Sequence, residues 1–365
     1  MLSKGDDYPI HQTPEPIAYV AGQRNFYDRY FFNGYDAAGE KFFAFALGVY
    51  PYLDVMDAAF SFVFDGVQHN VLASKVMGLE RVDLSIGPLS LEVVEPLQTL
   101  RIACDDQESG VKANLTFHAF IPAHEEPRFT RRVGSQLMMD VTRMMQNGTW
   151  SGWVEVDGVR HDVQPGTFQG TRDRSWGLRT VGLPDAQPNP AATGFQFFWI
   201  WAPMNFENFS IHYFVNQDEF GEAWNENGVL VPKYGGGDEV TLKSLEYHQD
   251  YQPGTRHASG AVIKMASEDD EFRIELTPKW SFYMKGLGYG HETFRHGSYH
   301  GALDVLRERL VLSDMGPENL HIQAMCDVVL TTMQGQEKGQ GVLEQLVIGP
   351  HAPSGFSGMM DFASS

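Results

Sequence analysis

Short runs of alternating apolar and polar residues follow one another along this chain, and most are closed by a turn signal. Asn25–Tyr35 and Lys41–Tyr50 are aromatic-rich runs joined across Asp36-Ala37-Ala38-Gly39. Ala58–Phe64 and Gln68–Lys75 flank Asp65-Gly66, and Leu89–Val94, Leu97–Cys104 and Val111–Phe120 follow. Period-two alternation puts one face of each run in a core, so these read as strands. Ser135–Gln146 and Trp150–Val156 are parted by Asn147-Gly148, a dipeptide that predicts a hairpin turn, and Asp157-Gly158 predicts the next. The second half repeats the texture. Phe195–Trp201, Phe209–Val215, Glu239–Asp250 (with one slip of phase that predicts a bulge), Ala261–Ala266, Glu271–Pro278, His321–Met333 and Gly341–Ile348 read as strands. Leu303, Leu306 and Leu310 recur at helical spacing and predict a helix within Gly301–Leu312.

Many short strands without βαβ alternation predict an all-β chain of barrels or sandwiches. Gly288-Tyr289-Gly290 lacks the strand–helix context of a phosphate loop. A chain of 365 residues is long for one domain. Gly182–Gly194, with Pro184, Pro188 and Pro190 among small and polar residues, reads as a linker. Two β-domains in tandem are therefore expected, 20–183 and 194–360.

Charge narrows the partners. The formal net charge is −20, which repels phosphate backbones and anionic membrane surfaces, so no nucleic acid is expected. No apolar run is long enough for a membrane span. Met1–Gln12 lacks a signal-peptide core, and Cys104 and Cys326 form no disulfide framework, so a cytoplasmic protein is expected. A homodimer is compatible with the sequence. His291, His296 and His300 match no zinc spacing, and neither a metal nor a cofactor is expected.

Candidate chemistry centres on Gly170-Thr171-Arg172-Asp173-Arg174-Ser175-Trp176-Gly177. On a strand, Arg172, Arg174 and Trp176 face one way and Thr171, Asp173 and Ser175 the other. The cluster reads either as ion pairing that pins a barrel end or as a polar group at a cavity mouth. If the flanking arginines pair with Asp173, they lower its pKa. The element Arg172-Asp173-Arg174-Ser175-Trp176-Gly177 resembles the Arg-Asp-His-Ser-Trp-Gly element of the lipocalin-like superfamily of bacterial carotenoid 1,2-hydratases and hydroxyneurosporene synthase-type proteins, with Arg174 in place of the histidine. Trp150–Trp153, Gly286–His291 and Gly341–Leu346 are similar in texture, so the likeness spans roughly residues 25–350. The resemblance implies two lipocalin-like β-barrel or sandwich domains enclosing a hydrophobic cavity. Characterised relatives include isoprenoid hydratases, and fungal proteins of similar architecture are pericyclases.

Adding water to an unactivated double bond needs an acid with a raised pKa, walls that tolerate a cation, and a placed water. Asp173 is the expected anchor, with Glu344 or Asp28 handling protons. Glu344 is the one carboxylate in an apolar row with Val342, Leu346 and Ile348, and Asp28 lies among Phe26, Tyr27, Tyr30, Phe31 and Phe32. Arg172, Arg174, Trp176, Tyr27, Phe197, Trp199, His212, Tyr289 and His291 are the expected substrate contacts. The leading expectation is a cofactor-independent hydratase, lyase or isomerase acting on an apolar isoprenoid-like molecule. The alternatives are a non-catalytic carrier of a lipid, sterol or terpenoid, and a cyclase that shapes its substrate.

Overall fold

The computed structural model describes residues 14–19, 22–184 and 196–364. Strands dominate it, and its only helices among the described residues are short 3-10 turns. The first part of the chain supplies β1 (Phe26–Asp36), β2 (Phe42–Tyr50), β3 (Val55–Phe64), β4 (Val67–Val76), β5 (Ser85–Ile86), β6 (Leu89–Glu95), β7 (Thr99–Asp106), β8 (Val111–Ala119), β9 (His124–Glu125), β10 (Phe129–Val133), β11 (Gln136–Val156), β12 (Val159–Val163) and β13 (Phe168–Leu178). The second supplies β14 (Phe197–Asn205), β15 (Phe209–Gln217), β16 (Ala223–Pro232), β17 (Val240–Thr241), β18 (Lys243–Tyr251), β19 (Ala258–Ala266), β20 (Glu271–Tyr283), β21 (Leu303–Val311), β22 (Ile322–Thr332) and β23 (Gly335–Ile348).

Two antiparallel sheets result. The first runs β21-β4-β3-β2-β1-β13-β11-β8-β7-β6-β5, with β9, β10 and β12 also on β11. It curls until β5 packs on β3 and β4. Phe32, Phe43, Phe45, Phe60, Phe117 and Trp150 fill its interior. The second runs β17-β16-β15-β14-β23-β22-β20-β19-β18. Its ends meet where the Leu242 N–H donates to Gly228 O at 2.8 Å. Its interior holds Phe198, Ile200, Tyr213, Ile263, Ile274 and Leu343. This is the all-β architecture expected from the strand pattern, in the lipocalin-like form that the resemblance implies. A third core, with Phe31, Phe42, Trp199, Trp201, Phe282 and Met325, lies between the two curled sheets. It explains why every residue of β2 is buried: one face looks into the first barrel and the other onto the second.

Three sequence expectations change. The helix expected within Gly301–Leu312 is the strand β21, paired along its length with β4. Leu306 and Leu310 also fit period two, and charged partners anchor the alternate positions. Arg307 pairs with Asp106 and Arg309 with Asp157. Tertiary pairing overrides the local spacing. One strand of the second half thus belongs to the first sheet, whereas the other strands divide at the expected linker, whose residues 185–195 lie outside the described ones. Asn147-Gly148 is not a turn: β11 runs straight through it. Asn147 spends its amide on the second barrel, donating to Asn205 and accepting from His212. A Cβ at Gly148 would strike the His118 carbonyl and the Phe117 ring, so this glycine serves close approach. The bulge expected in Glu239–Asp250 is present, as a register shift between Ser244 and Glu246.

Candidate functional site

Register alone assembles the centre of the junction. On β13, Asp173 lies beside Phe31 of β1 and Met145 of β11. The next rung brings Arg29, Ser175 and Arg143 together. Gly177 ends the row with φ +134°, and a Cβ there would strike the Asp140 carbonyl, so the glycine after Trp176 is required by the backbone. Trp201 of the second barrel covers the Asp173 rung. Its ring meets Phe31 edge-on at 6.0 Å, and its indole N–H points at the Met145 sulfur at 3.2 Å.

Around this apolar floor stand charged groups with fixed partners. Arg143 lies over the rings of Trp199 (4.8 Å) and Phe214 (5.1 Å) and pairs with buried Glu126. Glu344, in register with Trp201, accepts from Trp199 Nε1 at 3.2 Å and Gln323 Nε2 at 2.7 Å, and its Oε1 is 2.8 Å from His321 Nε2. Tyr289 packs against His321 and His296, with centroids 4.8 and 4.2 Å apart, beneath Arg29 at 5.3 Å. Tyr27 lies under Arg179 at 4.4 Å and hydrogen-bonds Ser175.

Asp173 differs from its neighbours. Among the described residues no hydrogen bond or ion pair reaches its carboxylate. Asp173 is packed among protein atoms yet keeps partial exposure. Burial pushes its pKa up to about 7; Arg143 opposes this and the carboxylates of Glu126 and Glu344 reinforce it. Glu344 goes the other way. Burial raises its pKa, but the hydrogen bonds from His321, Gln323 and Trp199 outweigh burial and hold it below the usual range. Two carboxyl groups of the junction thus have their pKa values pushed apart, one up and one down, the pattern that separates an acid from a base.

The candidate residues read from the sequence fall into separate places. Asp173, Glu344, Trp199 and Tyr289 meet at the junction, Phe197 packs on its edge, and Tyr27 lies in an adjoining core with Tyr50 and Val141, close enough for its charge to couple with those of Asp173 and Tyr289. Arg172, Arg174, Trp176 and Asp28 lie on the opposite face of the first sheet. The expected depression of the Asp173 pKa by its flanking arginines therefore fails: Arg172 bonds Gln146 and Arg174 pairs with Asp28, both on the other side. His212 borders the junction, where burial pushes its pKa down to about 3 and its Nε2 bonds Asn147. His291 is away from the junction core. Its Nδ1 accepts the backbone N–H groups of Thr293 and Phe294, and its Nε2 faces Glu308, so it caps a loop. Glu126, Arg143 and His321 were not singled out in the sequence, and Trp201 stood there only as a member of the aromatic run Phe195–Trp201. Arg143 carried a legible signal, a lone charge on the same strand face as Val141 and Met145. Among the described residues no group of three or more His, Cys, Asp or Glu side chains is arranged to hold a metal ion. No helix among them is long and apolar enough to cross a membrane.

Residues 2–357 match a family of unknown function, DUF8625, and the chain belongs to it. No curated protein matches by sequence. Solved structures share the architecture at low identity. An AttH protein of Nitrosomonas europaea is 12% identical with a TM-score of 0.51, covering 93% of this chain and 98% of its own. Kievitone hydratase of Nectria haematococca is 12% identical with a TM-score of 0.51, covering 87% and 88%. CghA in complex with Sch210972 is 11% identical with a TM-score of 0.53, covering 89% of each chain. At these identities the likeness carries the fold, and nothing in it singles out the carotenoid hydratase family suggested by the Arg172–Gly177 element.

Proposed function

We propose that this member of the DUF8625 family is a cofactor-independent acid–base enzyme that adds water to, or removes it from, a double bond of a small and largely apolar molecule held between the two barrels. The observation that supports this most is Asp173: a half-buried carboxyl, pKa about 7, with no donor among the described residues holding it ionised, beside Phe31 and Met145 and near Trp201. A carboxylic acid poised near neutral pH in apolar surroundings suits protonation of carbon or of a departing hydroxyl.

In the hydration direction Asp173 gives its proton to one alkene carbon. Cationic charge grows on the neighbouring carbon, where the faces of Trp199 and Trp201 can stabilise it. Water adds to that carbon, and its surplus proton passes to the Glu344–His321 pair and returns to Asp173 through solvent, so the net change is one water gained. Arg143, fixed by Glu126 and the two aromatic rings, stays charged and orients a polar group of the substrate. The presence of a hydratase among the structural neighbours is consistent with this reading.

The test is incubation of the full chain with a panel of prenylated phenols and unsaturated terpenoids, read by mass for one water gained or lost. Turnover that disappears in a folded Asp173→Asn variant supports the reading. Turnover undiminished in that variant refutes it and favours a cyclase that acts through cavity shape. Binding of panel members with no turnover by the wild type favours a carrier.

A further inference from the structure

On the far face of β13 from Asp173, the inner wall of the first barrel holds more positive charge than its own residues neutralise. Arg172 is 2% exposed. Its Nε and Nη2 both donate to the side-chain Oε1 of Gln146, at 2.9 and 2.6 Å, and no carboxylate among the described residues pairs with it. Burial holds its pKa down to about 10. A buried guanidinium without a counter-charge is costly, so a structural reading explains it poorly. Two residues on, Arg174 lies between Tyr30 (4.3 Å) and Trp176 (5.7 Å) and pairs with Asp28 at 2.7 and 3.3 Å. Arg81 interacts with the same Asp28. Two guanidiniums, Arg174 and Arg81, therefore share the one carboxylate of Asp28, and Arg172 beside them has none, in a chain whose net charge is −20.

The rim of this barrel end is apolar. Leu79 and Val82 follow β4, Val93 and Leu97 stand at the β6–β7 hairpin, and Trp176 closes β13; each is at least 36% exposed. The Leu97 carbonyl accepts from Gln146 Nε2 at 2.8 Å, which ties the hairpin tip to the side chain that holds Arg172. Cationic groups inside an exposed apolar collar match a ligand with an anionic head and an apolar body.

We propose that the mouth of the first barrel is a second ligand site, separate from the junction, that takes an amphipathic carboxylate with its head on Arg172 and Arg174 and its body against the rim. Asp28 is then the resident counter-ion that the ligand head displaces. Removing the charge of Asp28 strengthens binding, whereas a purely structural Asp28–Arg174 pair predicts no such gain.

The experiment titrates the full chain with cis-parinaric acid, read by its fluorescence, with its methyl ester as the uncharged control. The expected result is saturable binding of one acid per chain with a Kd of about 10 µM or below. The ester binds at least about tenfold more weakly, as loss of a charged hydrogen-bond acceptor requires. Arg174→Gln, at a partly exposed position that tolerates change, weakens the acid by a similar factor. Asp28→Asn tightens it, and Asp173→Asn leaves it unchanged. Circular dichroism confirms that each variant is folded. The proposal is overturned if acid and ester bind alike, if Arg174→Gln and Asp28→Asn leave the affinity where it was, or if the acid does not bind saturably.

Discussion

Replacing Asp173 with Asn makes a prediction that needs no substrate. The folded protein holds this carboxyl at about 7 against 3.8 for the free side chain. Between those two values the folded state binds more protons than the unfolded one, so this group makes stability fall as pH rises. Its contribution is most favourable below about pH 4 and is lost by the time pH passes about 7. Integrating the linkage relation from pH 5 to pH 8 gives a loss of about 2–3 kcal/mol, at 1.36 kcal/mol per pH unit where only the folded form is protonated. Asn is close in shape and cannot ionise. The stability of Asp173→Asn relative to wild type should therefore grow by about that amount from pH 5 to pH 8 and change little above. Urea titrations of both proteins at pH 5, 6, 7 and 8 measure the difference, in which the other titrating groups largely cancel. A flat difference across this range would refute the account of Asp173 as a carboxyl kept neutral by burial.

Once a substrate is found, turnover should fall as pH rises through about 7, because the proton donor is lost there; a rate that climbs steadily to pH 9 would contradict the assignment of Asp173 as the acid. Glu344→Gln removes the proton acceptor and leaves one carbonyl oxygen, so it can accept from Trp199 or from Gln323 but not from both; it should lower kcat by about 10²-fold and cost about 1–3 kcal/mol of stability in urea titration. Asp57→Ala strands the buried guanidinium of Arg29, which Asp57 meets at 3.1 Å, and should cost about 3–5 kcal/mol in chemical denaturation. Gly148→Ala should cost more than about 3 kcal/mol, because a methyl group there meets the His118 carbonyl in mid-strand.

Alternation with turn punctuation made the strands legible, since each half-buried strand writes its own period of two. The fold class and the pairing of turns such as Asp65-Gly66 and Asp157-Gly158 follow from it. Asn147-Gly148 misled because the same residues suit a turn and a close crossing, and only the neighbouring sheet decides which. Leu303, Leu306 and Leu310 misled because Leu306 and Leu310 fit both periods, and the deciding partner, β4, lies far away in sequence. Asp173 was visible as an odd residue in an odd motif. Its protonation was not, because that depends on which face of β13 carries the arginines' partners and on Glu126, Arg143 and Glu344 from other strands. Asp28 and Glu344 looked equivalent in the sequence, each a carboxylate in an apolar run. The sheet separates them, one to the mouth of the first barrel and the other to the junction.

The pairing of β21 with β4 also bears on how the chain is made. On the ribosome, β1 to β13 emerge first and can fold together, but the edge of β4 must wait for a strand encoded far downstream. Until Leu303–Val311 leaves the exit tunnel, β4 presents a row of free backbone donors and acceptors beside the apolar outer faces of β1 to β3. That nascent intermediate is open to capture by the same edge of another copy, so slow synthesis or a stop codon before residue 303 favours aggregation over an independently soluble first barrel.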